Sequence, residues 1–222
     1  MATDAPASAG RLPADERRQQ LIDTATRLFA QRGFSGTTTR QIARAAGVNE
    51  AIIFRFFPHK DDLYAAILEQ KSAEARSDAL IDTLHAMAAE GDDAGVIRTI
   101  VSRVIEHHRR DPEFLRLMLH SSLEDHSFAR QYRERHFAPV LRFLFDYVRA
   151  RQQQGRFQAG PPEPLVRAVI GIPAHHGLSE TLMPEAGASP GDVVETYTTF
   201  ILKGLAAGPT PVTSPQPEIS RD

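Results

Sequence analysis

The clearest candidates for chemistry in this chain are basic, hydroxyl and amide side chains that cluster near its N-terminus. They lie in residues 37–57, whose sequence is TTTRQIARAAGVNEAIIFRFF. Threonine hydroxyls, arginine and lysine all suit phosphate oxygens, and such contacts orient a protein on nucleic acid without reading its sequence. Asparagine can pair with adenine, glutamate can accept a hydrogen bond from N4 of cytosine, and alanine or isoleucine can touch a thymine methyl group. The segment therefore carries the side chains that a nucleic-acid-binding element needs.

The charge distribution points in the same direction. The whole chain of 222 residues has a formal net charge of −2. Residues 11–60 contain nine basic and four acidic residues, so this segment carries +5 and the remainder carries −7. A basic head on an acidic body is typical of nucleic-acid binding, although a charged, solvated face gives the same count.

Hydrophobic periodicity predicts the helices that must position these side chains. Between residues 17 and 34, apolar residues recur at the i, i+3, i+4 spacing of a one-sided helix. Two short helices follow, over residues 37–46 with a threonine as N-cap and over residues 49–57 with Asn49 as N-cap. A long fourth helix begins at about residue 60.

The join between the two short helices has the residue sizes of a tight turn. Ala43 is small where the helices cross, and Gly47 can adopt the positive φ that the turn needs. The apolar side chains of Ile42, Val48 and Ile53 can fill the space between the two helices. These positions predict a helix-turn-helix, and the alternative is an ordinary helical hairpin in a core.

Residues 17–63 resemble the N-terminal DNA-binding domain of the TetR family of bacterial transcriptional regulators. The resemblance rests on the sequence RRQQLIDTATRLFAQRGFSGTTTRQIARAAGVNEAIIFRFFPHKDDL. The positions typical of the family occur in order and without gaps: Leu28-Phe29, Gly33-Phe34, Thr38, Ile42-Ala43, Gly47-Val48, an aromatic at 54, Phe57, Lys60 and Leu63. The resemblance implies a homodimer whose third helix enters the DNA major groove and whose variable C-terminal domain dimerises and holds a small ligand.

Carried over position by position, the resemblance also assigns roles to residues. The phosphate contacts fall on Thr38, Thr39, Arg40 and Lys60, and the base contacts on Asn49, Glu50, Ala51 and Ile52. The family usually has tyrosine at position 54 and often tyrosine or histidine at position 56, whereas this chain has phenylalanine at both. We expect Phe54 to pack in the core, and Phe56 to face DNA without the polar tip of its counterparts. Glu50 either specifies a cytosine or lowers the affinity for all DNA.

Beyond this domain the periodicity remains helical. Helices are predicted near residues 94–110, 113–123, 127–154, 163–183 and 191–206, and no segment shows sustained strand-like alternation. The fold class is therefore all-α, with an N-terminal three-helix helix-turn-helix domain and a C-terminal helical bundle that dimerises. Pro139, and Gly171 with Pro173, lie inside predicted helices and should kink or break them.

These patterns divide the chain into four segments. We expect a disordered N-terminus over residues 1–12, the helix-turn-helix domain over residues 13–59, and a ligand-binding and dimerisation domain over residues 60–207. Residues 208–222 are rich in proline and should form a disordered tail.

Apolar stripes in the C-terminal domain predict a pocket for an apolar or aromatic effector, with a few polar groups to orient it. The alternative is that these stripes only form the core. The candidate ligand-binding residues are His108, Leu115, Met118, Leu119, Tyr132, Phe137, Leu141 and Phe145.

The last two predicted helices are amphipathic and need a partner for their apolar surface. The resemblance identifies this partner as the same pair of helices from a second subunit, and burial within one monomer is the alternative. The candidate dimer-interface residues are Leu165, Val169, Tyr197, Phe200, Ile201 and Leu205.

Other classes of protein lose support from what the sequence lacks. It has no cysteine, no GxSxG motif and no GxxxxGK[ST] motif, so we do not expect an enzyme. The nine histidines form no HExxH motif, and we expect neither a metal site nor a cofactor. Since no long apolar run occurs, we expect no membrane partner and a cytoplasmic location.

The sequence thus predicts a ligand-responsive homodimeric repressor, which a small apolar or aromatic molecule releases from a double-stranded DNA operator. Two alternatives stay open at this point. One is a transcriptional activator, and the other is a helical interaction module with a weakened DNA-binding head.

Overall fold

The computed structural model describes residues 12–74, 77–183 and 189–207 of the chain. Almost all secondary structure in this part of the chain is helical, which confirms the predicted all-α class. The helices are α1 (Ala14–Arg32), α2 (Thr39–Ala45), α3 (Glu50–Phe56), α4 (Lys60–Glu74), α5 (Ser77–Glu90), α6 (Asp93–Arg110), α7 (Pro112–Leu123), α8 (Ser127–Tyr132), α9 (Ala138–Gln153), α10 (Pro162–Leu182) and α11 (Pro190–Leu205). A π-helical turn at Arg133–Phe137 joins α8 to α9.

The two internal prolines have different effects on their helices. The predicted helix over residues 127–154 is interrupted by the π-helical turn, which ends two residues before Pro139. In a regular α-helix the ring of Pro139 would clash with the carbonyl group of Arg135, four residues earlier. Arg135 lies in the π-helical turn, whose wider backbone relieves this clash. By contrast, α10 continues through Pro173, so the structure shows no break there.

The helices form two compact units. The first contains the described residues up to Ala79 together with His108–Pro139, and the second contains Leu80–His107 together with the described residues from Val140 onwards. The predicted boundary between residues 59 and 60 therefore lies inside the first unit, because α4 packs against α1. The segments predicted to be disordered, 1–12 and 208–222, lie outside the described residues except for residue 12.

The core of the first unit forms around α1, which packs against α2, α4 and α7. The apolar stripe of α1 is buried there, as its periodicity predicts. Aromatic rings extend this core: Tyr64 on α4 lies 4.9 Å from Phe29 and 4.6 Å from Phe128, measured between ring centroids. Burial raises the pKa of Tyr64 to about 12. The apolar core thus ties the helix-turn-helix to α4, α7 and α8.

The core of the second unit contains the buried faces of α6, α9, α10 and α11. At one end, the carboxylate of Asp93 accepts hydrogen bonds from the Tyr147 hydroxyl and from Arg151 Nε, both at 2.6 Å. Arg156 Nη2 lies 2.7 Å from the second oxygen of Asp93. At the end of α11, an isolated antiparallel bridge pairs Phe157 with Ala206.

Candidate nucleic-acid interface

Helix α2 begins with a capping box that fixes its first turn. The Thr38 side chain accepts a hydrogen bond from the Gln41 backbone N–H at 3.2 Å, and the Gln41 side-chain oxygen accepts one from the Thr38 N–H at 2.9 Å. Each bond satisfies a backbone donor that would otherwise be unpaired at the helix start. Because Thr38 and Gln41 are exposed while Ile42 and Ala43 are buried, α2 presents one polar face to solvent.

The turn between α2 and α3 has the geometry that the sequence predicts. Gly47 has a φ of 67°, a left-handed conformation that favours glycine. The Val48 N–H then donates to the Ala43 carbonyl at 3.0 Å, which closes the turn. Ala43 and Ile53 are buried in the crossing between the two helices. These contacts form a helix-turn-helix.

Helix α3 has one buried face and one exposed face. Ile53 is fully buried against the core, whereas Ala51, Phe54 and Arg55 are exposed. The exposed residues follow the i, i+3, i+4 spacing and so lie side by side on the helix surface. Asn49 caps this helix, since its side-chain oxygen accepts a hydrogen bond from the Ala51 N–H at 2.9 Å.

Two predicted contact residues pair with each other. The Thr39 hydroxyl donates a hydrogen bond to Glu50 Oε1 at 2.6 Å, which links the start of α2 to the start of α3. Thr39 was predicted to contact phosphate and Glu50 to contact a base. One oxygen of the Glu50 carboxylate is therefore already occupied in the protein.

Lys60 lies beneath the loop between α1 and α2. Its ammonium group donates to the carbonyl oxygens of Phe34 at 2.8 Å and Thr37 at 3.0 Å, and lies 3.9 Å from the centroid of the Phe34 ring. Two of its three N–H bonds are thus used within the protein. Lys60 holds this loop in place in addition to contributing a positive charge.

The two phenylalanines of α3 have environments that differ from the prediction. Phe54 was expected to pack in the core, and this expectation is wrong, because its side chain is 47% exposed. Phe56 is partly buried and packs against the core of the first unit. Helical geometry explains the difference, because Phe56 lies closer than Phe54 to the side of α3 that faces the core.

The comparisons with known proteins agree with this geometry. Residues 21–67 match the family model for bacterial regulatory proteins of the tetR family. This part of the chain is similar to the TetR family of bacterial regulatory proteins. Over 93 residues the chain is 36% identical to the HTH-type transcriptional regulator AcrR of Shigella flexneri, a match that covers 42% of each protein. Over 104 residues it is 33% identical to the HTH-type transcriptional repressor Rv1474c of Mycobacterium tuberculosis, covering 45% of this chain and 55% of the relative.

The likeness in fold extends further than the likeness in sequence. The crystal structure of the transcriptional regulator FadR from Bacillus subtilis, in complex with stearoyl-CoA, matches with a TM-score of 0.59 and 16% identity. That match covers 84% of this chain and 98% of the FadR chain. The sequence matches span only about half the length of the curated relatives. The similarity in fold therefore extends over both units, whereas the match to the family model is confined to residues 21–67.

Sequence reasoning missed two exposed residues of α3. Phe54 and Arg55 were not among the predicted DNA contacts. They lie three and four residues after Ala51, which was a predicted contact. The i, i+3, i+4 rule applied to Ala51 would have found both. Arg44, exposed in the last turn of α2, is a further basic side chain of this surface.

The predicted effector residues are divided between the two units. Within the first unit, Tyr132 is buried in the core, and Met118 and Phe137 pack partly buried against it. Leu141 and Phe145 pack against the core of the second unit. His108, Leu115 and Leu119 belong to the first unit and are partly buried.

A shallow groove of about 350 Å³ runs along α1 in the first unit. It is lined by Glu16, Gln19, Gln20, Asp23, Thr24 and Arg27. None of these is a predicted effector residue.

Three of the predicted dimer-interface residues lie in the core of their own chain. Val169, Ile201 and Leu205 are all at most 4% exposed and belong to the core of the second unit, so they are not available to a partner in this conformation. The prediction for these three needs correction, because α10 and α11 pack on each other and on the rest of the unit. Leu165 and Tyr197 are partly buried, whereas Phe200 is 64% exposed.

Neither a membrane-spanning helix nor a cluster of metal-ligating side chains occurs in the part of the chain that the structure describes. No helix there is long and apolar enough to cross a membrane. No group of three or more histidine, aspartate or glutamate side chains within the same residues is placed to hold a metal ion.

Lys60 gives a prediction that separates its two roles. We expect Lys60→Met to lower the free energy of unfolding by about 1–3 kcal/mol, because two charge-assisted hydrogen bonds are lost. It should also reduce the salt dependence of DNA binding by about one unit per subunit, measured by fluorescence anisotropy at several salt concentrations. Arg40→Ala is the control, since Arg40 is exposed and its loss should change the salt slope without changing stability. An unchanged slope for Lys60→Met would remove Lys60 from the DNA interface.

Proposed function

We propose that this chain is a homodimeric transcriptional repressor that binds double-stranded DNA through α3 and leaves its operator when a small apolar or aromatic molecule binds. The observation that carries the DNA-binding part is the two-sided character of α3. Ile53 anchors one face in the core, and the opposite face is exposed for docking. A short helix held in this way suits insertion into the major groove.

Charge on the neighbouring helix supports this proposal. Arg40 and Arg44 of α2 are exposed, as is Arg55 of α3. Guanidinium groups at the edge of a docking helix can contact the phosphates on either side of the groove. The net charge of +5 over residues 11–60 adds long-range attraction for DNA.

A second copy of the chain is the proposed partner of the second unit. Phe200 on α11 is a large apolar side chain that is mostly exposed, and Ala168 and Gly171 on α10 are exposed small residues that permit close helix approach. A two-fold axis through such a surface would present each residue twice. A dimer would carry two copies of α3, as a palindromic operator requires.

The effector and the direction of regulation rest on relatives rather than on geometry. The FadR structure contains stearoyl-CoA, whose acyl chain is apolar, and the similar protein Rv1474c is a transcriptional repressor. An effector that releases DNA must bind the DNA-incompetent conformation more tightly. By linkage, DNA must then weaken effector binding by the same factor.

The DNA-binding proposal is tested by titrating the full chain onto the DNA upstream of its own coding region. We expect submicromolar binding that weakens steeply with salt, with a two-fold symmetric footprint. Failure to bind this DNA, and failure to enrich any sequence from a random pool, would contradict the proposal.

The effector proposal is tested on the same complex. Stearoyl-CoA should release the DNA, whereas coenzyme A without an acyl chain should not, since the acyl chain supplies the apolar surface. Equal release by both compounds would contradict an apolar effector. A reporter gene placed downstream of the bound DNA distinguishes repression from activation.

A further inference from the structure

The exposed face of α3 has an unusual chemical composition for a surface proposed to read DNA. Phe54 is 47% exposed, so a large part of its ring lies in solvent on this face. Ala51, one turn earlier on the same face, is also exposed, and Ile52 is partly exposed. The side chains of this helix that reach solvent are therefore largely apolar.

The polar side chains at the start of α3 are already engaged within the protein. Asn49 Oδ1 accepts the hydrogen bond that caps the helix, which uses one of its two lone pairs and fixes the orientation in which the amide could meet adenine. Glu50 Oε1 accepts from the Thr39 hydroxyl, which leaves one carboxylate oxygen for any base. Direct readout through hydrogen bonds is thus weakened at the positions where the sequence predicted it.

Phe54 also cannot replace these hydrogen bonds. A phenyl ring has no donor for a phosphate oxygen, and placing it against phosphate would remove water from a charged group without compensation. The apolar group that a major groove offers is the C5-methyl group of thymine. Contact between the ring and this methyl group removes apolar surface of both partners from water.

From this exposed face we infer that Phe54, supported by Ala51, is a specificity-determining residue that selects thymine through its methyl group. This inference rests on the proposed DNA-binding function and names the base that α3 reads. Arg55, exposed beside Phe54, adds a positive charge next to the contact between Phe54 and thymine. Each half of a two-fold symmetric operator should therefore contain a thymine opposite Phe54.

The test compares thymine with uracil, which differ only in this methyl group. A binding sequence is selected from a random DNA pool with the full chain, and its footprint is mapped. The duplex is then synthesised with deoxyuridine at each thymine of the footprint in turn. A control duplex carries deoxyuridine only outside the footprint.

We expect one thymine in each half-site at which deoxyuridine weakens binding by about fourfold, and by about fifteenfold when both half-sites are changed. These factors correspond to the burial of one methyl group per half-site. Phe54→Ala should lose most of this thymine preference. Arg55→Ala should weaken binding to all DNA and keep the preference.

The possible outcomes separate this inference from the proposed function. If the chain binds DNA but deoxyuridine is tolerated everywhere in the footprint, the inference is wrong and the proposed function stands. If Phe54→Ala keeps the full thymine preference, another residue reads the methyl group and the assignment to Phe54 is wrong. If no DNA is enriched from the pool, the proposed function fails and the inference fails with it.

Discussion

Asp93→Ala should lower the free energy of unfolding of the chain by about 3–5 kcal/mol, the usual effect of removing one partner from a buried ion pair. The Asp93 carboxylate accepts hydrogen bonds from the Tyr147 hydroxyl and Arg151 Nε, and it forms an ion pair with Arg156 Nη2, all within 2.7 Å. The side chains of Asp93 and Arg151 are 12% and 7% exposed. Without Asp93, the Arg151 guanidinium would stay buried without its counter-charge.

This prediction is measured by chemical denaturation of the full chain, followed by circular dichroism. Glu195→Ala is the matched control, because it removes a bidentate ion pair with Arg98 in the same unit that lies in solvent. Exposed pairs of this kind contribute little, so the control should unfold like the wild-type chain. Equal effects of the two substitutions would contradict the assigned role of Asp93. Asp93→Asn should fall between them, since the amide oxygen can accept hydrogen bonds but carries no charge.

Phe200→Asp should weaken dimerisation by at least about 100-fold and abolish binding to a two-fold symmetric operator. Phe200 is mostly exposed in one chain, so the substitution should leave the fold of that chain intact. In an isologous interface each substitution occurs twice, and two carboxylates would be placed in an apolar patch without partners. Sedimentation velocity and unfolding of the variant measure the two effects separately.

Ile201→Asp provides the comparison for this variant. Ile201 is buried in the core of the second unit, and a charge at that position should unfold the chain rather than merely separate a dimer. Lys203→Asp, on an exposed position of the same helix, controls for the change in charge. A Phe200→Asp variant that sediments as a dimer would show that the subunits associate through another surface.

The helix-turn-helix could be predicted from the sequence because its signals are local. Gly47 is a small residue at a position that needs positive φ, and Thr38 and Asn49 are good N-caps. Each of these three residues determines the backbone conformation only of its immediate neighbours in the sequence. The alternation of buried and exposed residues along α1 follows from helical geometry alone. The positions of these elements in the chain therefore needed no knowledge of their packing.

Which apolar side chains are covered could not be predicted in the same way. Periodicity identifies Phe54 and Phe56 as apolar residues on one short helix, but only the packing of α3 on the core decides that Phe54 is exposed and Phe56 partly buried. It likewise identifies Phe200 and Ile201 as neighbours on α11. Only the rest of the second unit decides that Ile201 is covered within its own chain.

The sequence by itself determined the all-α class, the helix-turn-helix and the resemblance of residues 21–67 to the TetR family, because each rests on the order and spacing of residues along one chain. The tertiary structure alone decided how polar groups are paired across large sequence separations. The Lys60 ammonium binds carbonyl oxygens of the loop after α1, the Thr39 hydroxyl binds Glu50, and Asp93 binds Arg151. The physical reason is that a hydrogen bond depends on distance and direction in space, and a sequence specifies neither for residues that meet only after folding.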